Sequence, residues 1–440
     1  MRSLMINNQI LELANLCNGE LINYNQEKEN FDSICIDTRK MNRNSVFIPL
    51  IGKNFDGHDF VDEAFSKGAL AAIVKKDFKG KNKNLIKVKD TLEALQIIAF
   101  SNRCNWNGVC VGITGSAGKT TVKELCHHIV STTYSSHKNF GNFNNHIGLP
   151  ITLIDLNESH KYLIAEIGMN QPGEIKFLSN FLQPEISIIT EIGLAHAENF
   201  NSLEDIAYEK SAIIRHLTTN NTSILDIDSS WYSFLKKQTQ SKILSVSLNN
   251  NGSINGLYNG YDKLKVEGYN YQLPIPGRFM AKNVLKSIAL GKFLGIDNDK
   301  INEGISSYKP LKYRWEKKVI NKVTWINDAY NANPLSMNSS IEAFSKIKSK
   351  RKCVVIGTMH ELGKFTQSEH IKLFKYVDSF DFDMWIVIGN WDIDIFDFKK
   401  GKCFKNIETA SEFLNDWTNP DDYIFIKASR SEKFEEFLNN

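Results

Sequence analysis

The sequence lacks any apolar run approaching the roughly 18 residues that a membrane-spanning helix needs. Its first ten residues carry Asn7, Asn8 and Gln9 where a secretory signal peptide would have its apolar segment. These two absences exclude a membrane-spanning protein and a conventionally exported one. We therefore expect a soluble protein of the cytoplasm.

The chain also lacks a strong charge of either sign and any paired-cysteine motif. Its formal net charge is +3 over 440 residues, so bulk charge indicates no nucleic-acid partner. The cysteines form no C-x-x-C pair and stand at no metal-ligand spacing with histidine. Their odd number and wide spacing fit free thiols in a reducing compartment. The seven cysteines are Cys17, Cys35, Cys104, Cys110, Cys126, Cys353 and Cys403.

The length predicts about three domains, at roughly 150 residues each. From residue 87 onward apolar strands alternate with helical segments, which indicates mainly parallel sheets covered by helices. The pattern also predicts a hairpin at 263–275 around Gly268 and a last helix at 432–438. We predict an α/β protein with domains at 1–86, 87–310 and 311–440, the last with the look of a nucleotide-binding fold. The sequence shows no internal repeat and no low-complexity linker, and we expect a monomer.

The segment from 109 to 121 is the most informative in the chain. An apolar strand at 109–114 leads into Gly115-Ser116-Ala117-Gly118-Lys119-Thr120-Thr121 and then into a helix. Strand, glycine turn, Gly-Lys-Thr and helix together are typical of a triphosphate cradle, with Lys119 on the phosphates and the Thr120 hydroxyl on Mg²⁺. The loop is tighter than the usual G-x-x-x-x-G-K-[ST], whose first glycine would fall at Ile113. The alternative is an ordinary strand-to-helix turn with a surface lysine.

Polar residues after the central strands are the next candidates, because ligands in open α/β sheets lie at the carboxyl ends of strands. Glu166 ends one strand, and its carboxylate suits Mg²⁺. His196 follows another and could bind a second cation or orient a phosphate, although such a histidine is more often a loop hydrogen-bonder. Lys210, within a predicted helix at 203–217, is by itself typical of a helix surface.

Three further polar segments could bind ligands. Asp37, Thr38 and Arg39 end a predicted strand at 33–39, where plain loop residues are the commoner explanation. The asparagine-rich segment 139–150 offers neutral donors for a pyrophosphate or forms a turn-rich loop. Segment 328–334 follows an apolar strand and opens a helix, so that its aspartate could bind a ribose or cation and its amides a second substrate. The nearby Arg314 offers a planar fork for phosphate or carboxylate.

Taken in order, these segments resemble the Mur ligases, the ATP-dependent amide-bond-forming enzymes of peptidoglycan synthesis. The matching motifs are 115–121, 142–150, 166–168, 192–196 and 206–210. Segments 328–337 and 357–363 resemble the member that adds D-alanyl-D-alanine to UDP-N-acetylmuramoyl-tripeptide, and 37–39 and 56–58 resemble its uridine-nucleotide domain. The sequence departs from common family residues at Leu194, Ser211, Ala212, Thr358 and His360.

The resemblance implies a uridine-nucleotide-binding first domain, a central phosphate-loop ATPase domain and a Rossmann-like third domain that binds the incoming dipeptide. It implies catalytic roles for Lys119, His196 and Lys210. It implies an ATP site made of Gly115, Ser116, Ala117, Gly118, Lys119, Thr120, Thr121, Asn283, Arg314 and Asp328. Two Mg²⁺ ions would be held by Thr120, Glu166, His196 and Lys210, the last as a carbamate formed from CO₂. The substrates would meet Asp37, Thr38, Arg39, Asn142, Asn144, Asn145, Tyr330, Asn331 and Asn333.

The implied reaction transfers the γ-phosphoryl group of ATP to the tripeptide carboxylate, and the dipeptide amine attacks the resulting acyl phosphate. Alternatives are the sister ligase that adds the third amino acid, folylpolyglutamate synthase, and a nucleotide-binding switch without ligase chemistry. Glu166, His196 and Lys210 together favour an enzyme, since a switch needs no second metal site. The sister ligase carries an Asp-Asn-Pro-Arg signature that is absent from this sequence.

Overall fold

The computed structural model describes residues 6–24, 29–82, 84–391, 398 and 400–438. Residues 1–5 and 439–440, which begin and end the predicted first and third domains, lie outside the described residues. The described helices are α1 (Ile10–Leu16), α2 (Val61–Ser66), α3 (Thr91–Asn105), α4 (Lys119–Ser131), α5 (Gly148–Ile154), α6 (Glu174–Leu182), α7 (Leu203–Arg215), α8 (Tyr232–Lys237), α9 (Arg278–Phe293), α10 (Asn298–Ser307), α11 (Pro334–Ser345), α12 (Thr366–Asp378) and α13 (Ile407–Trp417).

The strands form three sheets. They are β1 (Glu20–Ile22), β2 (Ser33–Cys35), β3 (Ser45–Phe47), β4 (Ala71–Lys75), β5 (Leu85–Val88), β6 (Val109–Thr114), β7 (Ser136–Lys138), β8 (Tyr162–Glu166), β9 (Ile186–Ile189), β10 (Thr222–Asp226), β11 (Lys242–Ser247), β12 (Ile254–Tyr258), β13 (Lys263–Val266), β14 (Tyr269–Gln272), β15 (Glu316–Ile320), β16 (Val323–Asn327), β17 (Lys352–Ile356), β18 (Met384–Ile388), β19 (Gly401–Phe404) and β20 (Tyr423–Lys427).

The first sheet has the strand order β1-β5-β4-β3-β2. Strands β2 to β5 pair in parallel, and β1 pairs with β5 in the antiparallel sense. Phe47, Val61, Ala64 and Val74 belong to the apolar cluster that packs here. Strand β2 ends at Cys35, earlier than the predicted 39, because the Asp37 side chain caps a 3₁₀ turn at Thr38–Lys40.

The central sheet has the strand order β14-β13-β12-β11-β10-β9-β6-β8-β7. Strands β9 to β12 pair in parallel, as do β7 and β8, and β8 and β9 consist of buried residues that are mostly apolar. The predicted hairpin around Gly268 is confirmed, since β13 and β14 pair in the antiparallel sense and Gly268 has a φ of +89°. Strand β6 leads directly into the glycine loop and α4, as the sequence predicts.

The third sheet has the strand order β15-β16-β20-β17-β18-β19, antiparallel only between β15 and β16 among its described strands. One apolar cluster includes Ile326 and Phe425, and a second includes Ile424 and Ile426. This alternation along β20 places successive side chains on opposite faces of the sheet. Because β16, β20 and β17 pair in parallel, their carboxyl ends meet at one edge of the sheet. This edge carries the polar segments discussed below.

The three mostly parallel sheets confirm the predicted three-domain α/β class, whereas the domain boundaries stay a prediction. The described chain forms two compact units. The first is drawn from residues up to Val111, Tyr134–Ile167 and Phe177–Pro184. The second is drawn from Gly112–Thr133, Gly168–Lys176 and residues from Glu185 onward. Among the described residues, no helix is long and apolar enough to cross a membrane.

Candidate functional site

The loop between β6 and α4 requires glycine at two positions. Gly115 has a φ of +153°, and a Cβ there would lie 1.9 Å from Thr190 Oγ1. Gly118 has a φ of +84°, and a Cβ there would lie 2.8 Å from Asn283 Oδ1. Because α4 begins at Lys119, the first N–H groups of the helix point out of this loop, as an anion-binding site needs.

Hydrogen bonds pin this loop to the segment that follows β9. Ser116 N donates to Glu191 O (2.6 Å), and Ser116 Oγ donates to Gly193 O (2.6 Å). Thr190 Oγ1 donates to Ala117 O (2.6 Å). These hydrogen bonds hold the predicted phosphate loop in one conformation, and such preorganisation is what phosphoryl transfer requires.

Two lysines converge on one carbonyl of the loop. Lys119 Nζ donates to Gly115 O at 2.8 Å, and Lys210 Nζ donates to the same oxygen at 3.0 Å. Lys210 is buried, which excludes the surface-lysine alternative. Burial, reinforced by the charge of Lys119, holds the pKa of Lys210 well below its usual 10.5. A lysine in this environment tends toward the uncharged amine, which is the nucleophilic form.

His196 takes the left-handed conformation, with a φ of +54°, at a described turn after β9. Its Nδ1 lies 2.6 Å from Glu361 Oε2, on the segment that follows β17. The hydrogen bond from His196 lowers the pKa of Glu361. A carboxylate on Nδ1 fixes the orientation of the ring, and the same arrangement is found around many metal-ligating histidines. Sequence reasoning missed Glu361, although it lies in the motif at 357–363.

Arg314 reaches the phosphate loop from the connection before β15. Its Nη2 donates to Thr120 Oγ1 at 3.1 Å, and its guanidinium carbon lies 4.0 Å from the ring centre of Tyr330. The flanking Tyr313 and Trp315 have φ values of +62° and +57°. Bulky residues rarely adopt this conformation, and backbone strain of this kind concentrates at functional sites. The structure thus brings Arg314 to the predicted ATP site.

Asn333, at the start of α11, also contacts the phosphate loop. Its Nδ2 donates to Ser116 O at 3.2 Å. Its Oδ1 accepts from Ser336 N and, with the Ser336 hydroxyl, forms a capping box at the start of α11. One side chain therefore fixes both the helix start and the loop contact.

Asp328 faces the third sheet itself in this structure. Its Oδ1 accepts from Trp315 N (3.1 Å), and its Oδ2 accepts from Ser340 Oγ (2.7 Å) and Lys427 Nζ (2.5 Å). Lys427 also donates to Asn331 O at 3.2 Å. The carboxylate thus anchors the 328–333 turn, while a direct contact with ATP stays a prediction. Sequence reasoning missed Lys427, whose only signal was a lysine directly after a buried apolar run.

Asn283 carries an unsatisfied donor beside the loop. It is 2 % exposed, and its Nδ2 is buried without a hydrogen-bond partner in the described structure. An orphaned buried donor costs free energy unless a ligand acceptor pairs with it. The predicted contact of Asn283 with adenine would supply such an acceptor.

Glu166 and the asparagine-rich segment belong to the first compact unit. Glu166 Oε1 accepts from Asn144 Nδ2 (2.8 Å), whereas its Oε2 is buried without a partner. Asn145 Oδ1 accepts hydrogen bonds from Ile147 N and Gly148 N, so its side chain stabilises the backbone where α5 begins. Asn142 is exposed. The orphaned carboxylate oxygen of Glu166 suits a hard cation.

The early segment 37–39 is a capped turn. Asp37 accepts hydrogen bonds from Arg39 Nε (2.9 Å) and Nη2 (2.8 Å), and this pairing lowers the pKa of Asp37 to about 2. The Arg39 side chain is 84 % exposed, so it is available to a ligand. Thr38 is buried, and its carbonyl accepts from Lys67 Nζ.

The described residues contain no cluster of three or more His, Cys, Asp or Glu side chains able to enclose a metal ion. A nucleotide-bound Mg²⁺ usually takes only one or two protein ligands and completes its shell with phosphate and water. The roles of Thr120, Glu166, His196 and Lys210 at Mg²⁺ stay predictions.

Three family models match the chain. Residues 30–103 match the Mur ligase family catalytic domain, residues 113–291 the Mur ligase middle domain, and residues 313–430 the glutamate ligase domain of Mur ligases. The UDP-N-acetylmuramoyl-tripeptide–D-alanyl-D-alanine ligase of Buchnera aphidicola subsp. Baizongia pistaciae is 36 % identical over 449 residues, covering 98 % of this chain and 97 % of that protein. The ligase of the same name from Bacillus subtilis is 31 % identical, covering 99 % and 98 %.

Solved structures of similar fold cover nearly the whole chain. MurF ligase from Thermotoga maritima, in complex with ADP, has a TM-score of 0.81 and 26 % identity, covering 92 % of this chain and 96 % of that one. MurF from Acinetobacter baumannii has a TM-score of 0.90 at 24 % identity, covering 99 % of each chain, a likeness of fold.

Proposed function

The chain belongs to the Mur ligase family, and we propose that it joins D-alanyl-D-alanine to UDP-N-acetylmuramoyl-tripeptide with cleavage of ATP. It is an ATP-dependent ligase of peptidoglycan-precursor synthesis. The observation that carries this function is the meeting of two sheets at the phosphate loop. Arg314 reaches Thr120 and Asn333 reaches Ser116, so groups from the third sheet stand beside the loop that would hold the transferring phosphate.

The first step forms an acyl phosphate. A tripeptide carboxylate oxygen attacks the γ-phosphorus of ATP, and the bond to the β-phosphate oxygen breaks to release ADP. Lys119 and Arg314 supply positive charge where the phosphoryl oxygens gather negative charge, and the open N–H groups of α4 orient them.

The second step forms the amide. The amine of the dipeptide attacks the acyl carbon, loses a proton, and phosphate leaves with the oxygen that came from the carboxylate. Asn331 and Asn333 have amide side chains, which offer both donors and acceptors and therefore suit the peptide bond of the acceptor. Tyr330 is fixed beneath the Arg314 guanidinium, at the same edge.

The residues that would hold Mg²⁺ are Thr120, Glu166, His196 and Lys210. Bound Mg²⁺ would neutralise charge on the phosphate oxygens. For Lys210 to serve, it must carry a carbamate, which converts a cation into an anionic oxygen donor. Its burial and the neighbouring charge of Lys119, which lower its pKa, support this assignment, because an uncharged amine is the form that adds to CO₂.

The remaining assignments concern the substrates and the setting. We assign Asp37, Thr38 and Arg39 to the uridine nucleotide, with Asn142, Asn144 and Asn145 near the rest of that substrate. Asn283 is assigned to adenine and Asp328 to the ATP side of the third sheet. The enzyme acts as a monomer in the cytoplasm.

Product formation with parallel acceptors tests the proposal. UDP-N-acetylmuramoyl-tripeptide or, in parallel, the corresponding dipeptide precursor is incubated with ATP, Mg²⁺ and one of four acceptors. The acceptors are D-alanyl-D-alanine, D-alanine, L-lysine and meso-diaminopimelate, and products are identified by mass. We expect the dipeptide alone to be ligated efficiently, since a site built to hydrogen-bond a peptide group rejects acceptors that lack it. Ligation of lysine or diaminopimelate onto the dipeptide precursor, with none of D-alanyl-D-alanine, would instead identify the sister ligase.

A further inference from the structure

We propose that Arg430 binds the terminal carboxylate of the incoming dipeptide and so sets acceptor specificity. This inference rests on the proposed function and deepens it. The dipeptide has three polar parts, namely an attacking amine, a peptide group and a carboxylate. Amide side chains suit the peptide group, whereas a carboxylate is best recognised by a planar guanidinium that donates two parallel hydrogen bonds.

Arg430 lies at the edge of the third sheet that carries the acceptor segment. Strand β20 runs parallel to β16, with Ile426 in register with Asn327. The residues after β20 therefore leave the sheet beside the 328–333 turn. Lys427 Nζ ties the two connections together through Asn331 O, and Arg430 follows three residues later.

The Arg430 guanidinium is held in a defined plane. Its central carbon lies 4.5 Å from the ring centre of Tyr313, and Nη1 donates to Glu435 Oε2 at 2.6 Å. Tyr313 in turn accepts a hydrogen bond from Tyr330 N through its carbonyl (3.0 Å). Stacking and one ion pair orient the fork while occupying one of its five N–H donors.

A row of contacts leads from the phosphate loop to this arginine. Thr120 contacts Arg314, Arg314 stacks on Tyr330, Tyr330 bonds to Tyr313, and Tyr313 supports Arg430. The amine of the acceptor must react near the phosphate end of this row. An extended dipeptide spans about 7 Å, so an acceptor laid along the row would place its carboxylate on the Arg430 side of the phosphates.

Two other cations at this edge, Lys427 and Arg314, already have partners of their own. Lys427 is buried in its pair with Asp328, and Arg314 is directed to Thr120. The Arg430 side chain is 46 % exposed, so a ligand can reach it. Lys312 stands on the same tyrosine ring, with Nζ 4.8 Å from its centre, and provides a matched control for charge at this surface.

The test compares D-alanyl-D-alanine with D-alanyl-D-alaninamide, which lacks the carboxylate charge. In the unmodified enzyme we expect kcat/KM to favour the acid by about 10- to 100-fold, the usual loss when a charged hydrogen-bond pair is broken. Arg430→Met should lower kcat/KM for the acid by a similar factor through KM and leave the amide within about 2-fold. Arg430→Lys should retain part of the preference, and Lys312→Met should retain all of it.

Several outcomes would overturn the assignment. An acid-to-amide ratio unchanged by Arg430→Met would do so, as would an unmodified enzyme that does not distinguish acid from amide. Loss of the preference in Lys312→Met would transfer the role to that lysine. Failure of the proposed function is separate, because then the unmodified enzyme would ligate neither acceptor. Should Arg430→Met be unstable in thermal unfolding, the same ratio is measured in Arg430→Gln, which keeps hydrogen-bonding capacity without charge.

Discussion

Gly115 offers its carbonyl oxygen to two lysines with different environments. Lys119 donates to this oxygen from the start of α4, whereas Lys210 comes from α7 and is buried. The sequence predicted the loop around Lys119 because all of its residues are consecutive. It did not predict that Lys210 is buried, since the burial of a helix lysine depends on the elements that pack over it.

Lys119→Ala should abolish ligation while leaving the fold intact. The change removes a charge facing the γ-phosphate, and groups of this kind contribute several kcal/mol to transition-state stabilisation. We expect kcat to fall by at least about 100-fold, measured as phosphate release, with circular dichroism unchanged. Lys433→Ala, at an exposed position, serves as the control. Near-normal turnover in folded Lys119→Ala would remove the phosphate-loop assignment.

Lys210→Ala should be nearly inactive and partly rescued by small carboxylates. Acetate or formate would fill the vacated space with an anionic oxygen donor, as the proposed carbamate on Lys210 would. The measurement is the rate of Lys210→Ala with increasing formate, at constant ionic strength set with chloride. Lys119→Ala should gain nothing from formate, since its missing group is a cation. Full activity of Lys210→Ala without additive would contradict the carbamate.

At the scale of elements, the sequence predicted the helices and strands whose apolar residues follow a clear pattern. Strand β6 with its loop and α4, and the hairpin of β13 and β14, have the predicted positions. Strand β7 contains only Ser-His-Lys, so no apolar pattern predicts it. It is a strand because it pairs with β8. The predicted last helix at 432–438 is instead a pair of 3₁₀ turns. Arg314 and Thr120, 194 residues apart, meet only through the tertiary fold.

Lys427 stabilises the turn that follows β16, and its removal should affect stability and acceptor binding together. Lys427→Met leaves the Asp328 carboxylate largely buried without its cation, which typically costs about 3 kcal/mol or more. We expect a lower free energy of unfolding in urea and a higher KM for the dipeptide. The double variant Lys427→Met/Asp328→Asn should recover part of the stability, because no unpaired charge remains. Unchanged stability in the single variant would show that the pair does not anchor the turn.

At the scale of the whole molecule, the second compact unit joins elements of the central and third sheets through a few specific contacts. His196 pairs with Glu361, Lys364 Nζ donates to Asn201 O at 2.9 Å, and Leu335 packs on Gly193. Glu361 also has a positive φ of +64°. The orientation of the His196 ring therefore depends on Glu361, from the segment that follows β17.

Glu361→Ala should lower activity by about 10- to 100-fold and raise the Mg²⁺ concentration needed for half-maximal rate, as loss of a ligand-orienting partner generally does. Glu361→Gln keeps an acceptor for His196 Nδ1 and should retain much of the rate. The matched control is Glu432→Ala, which removes the partner of the neighbouring His360 and should change the rate by less than about 2-fold. Equal effects of Glu361→Ala and Glu432→Ala would show that orientation of His196 is not the cause.

The transfer of one oxygen atom tests the central claim most directly. UDP-N-acetylmuramoyl-tripeptide labelled with ¹⁸O in the carboxylate that is ligated is incubated with ATP, Mg²⁺ and D-alanyl-D-alanine, and both products are analysed by mass. Ligation through an acyl phosphate predicts one ¹⁸O in each phosphate released and one left in the new amide. Phosphate released without the label, or with no pentapeptide formed alongside it, would contradict the account.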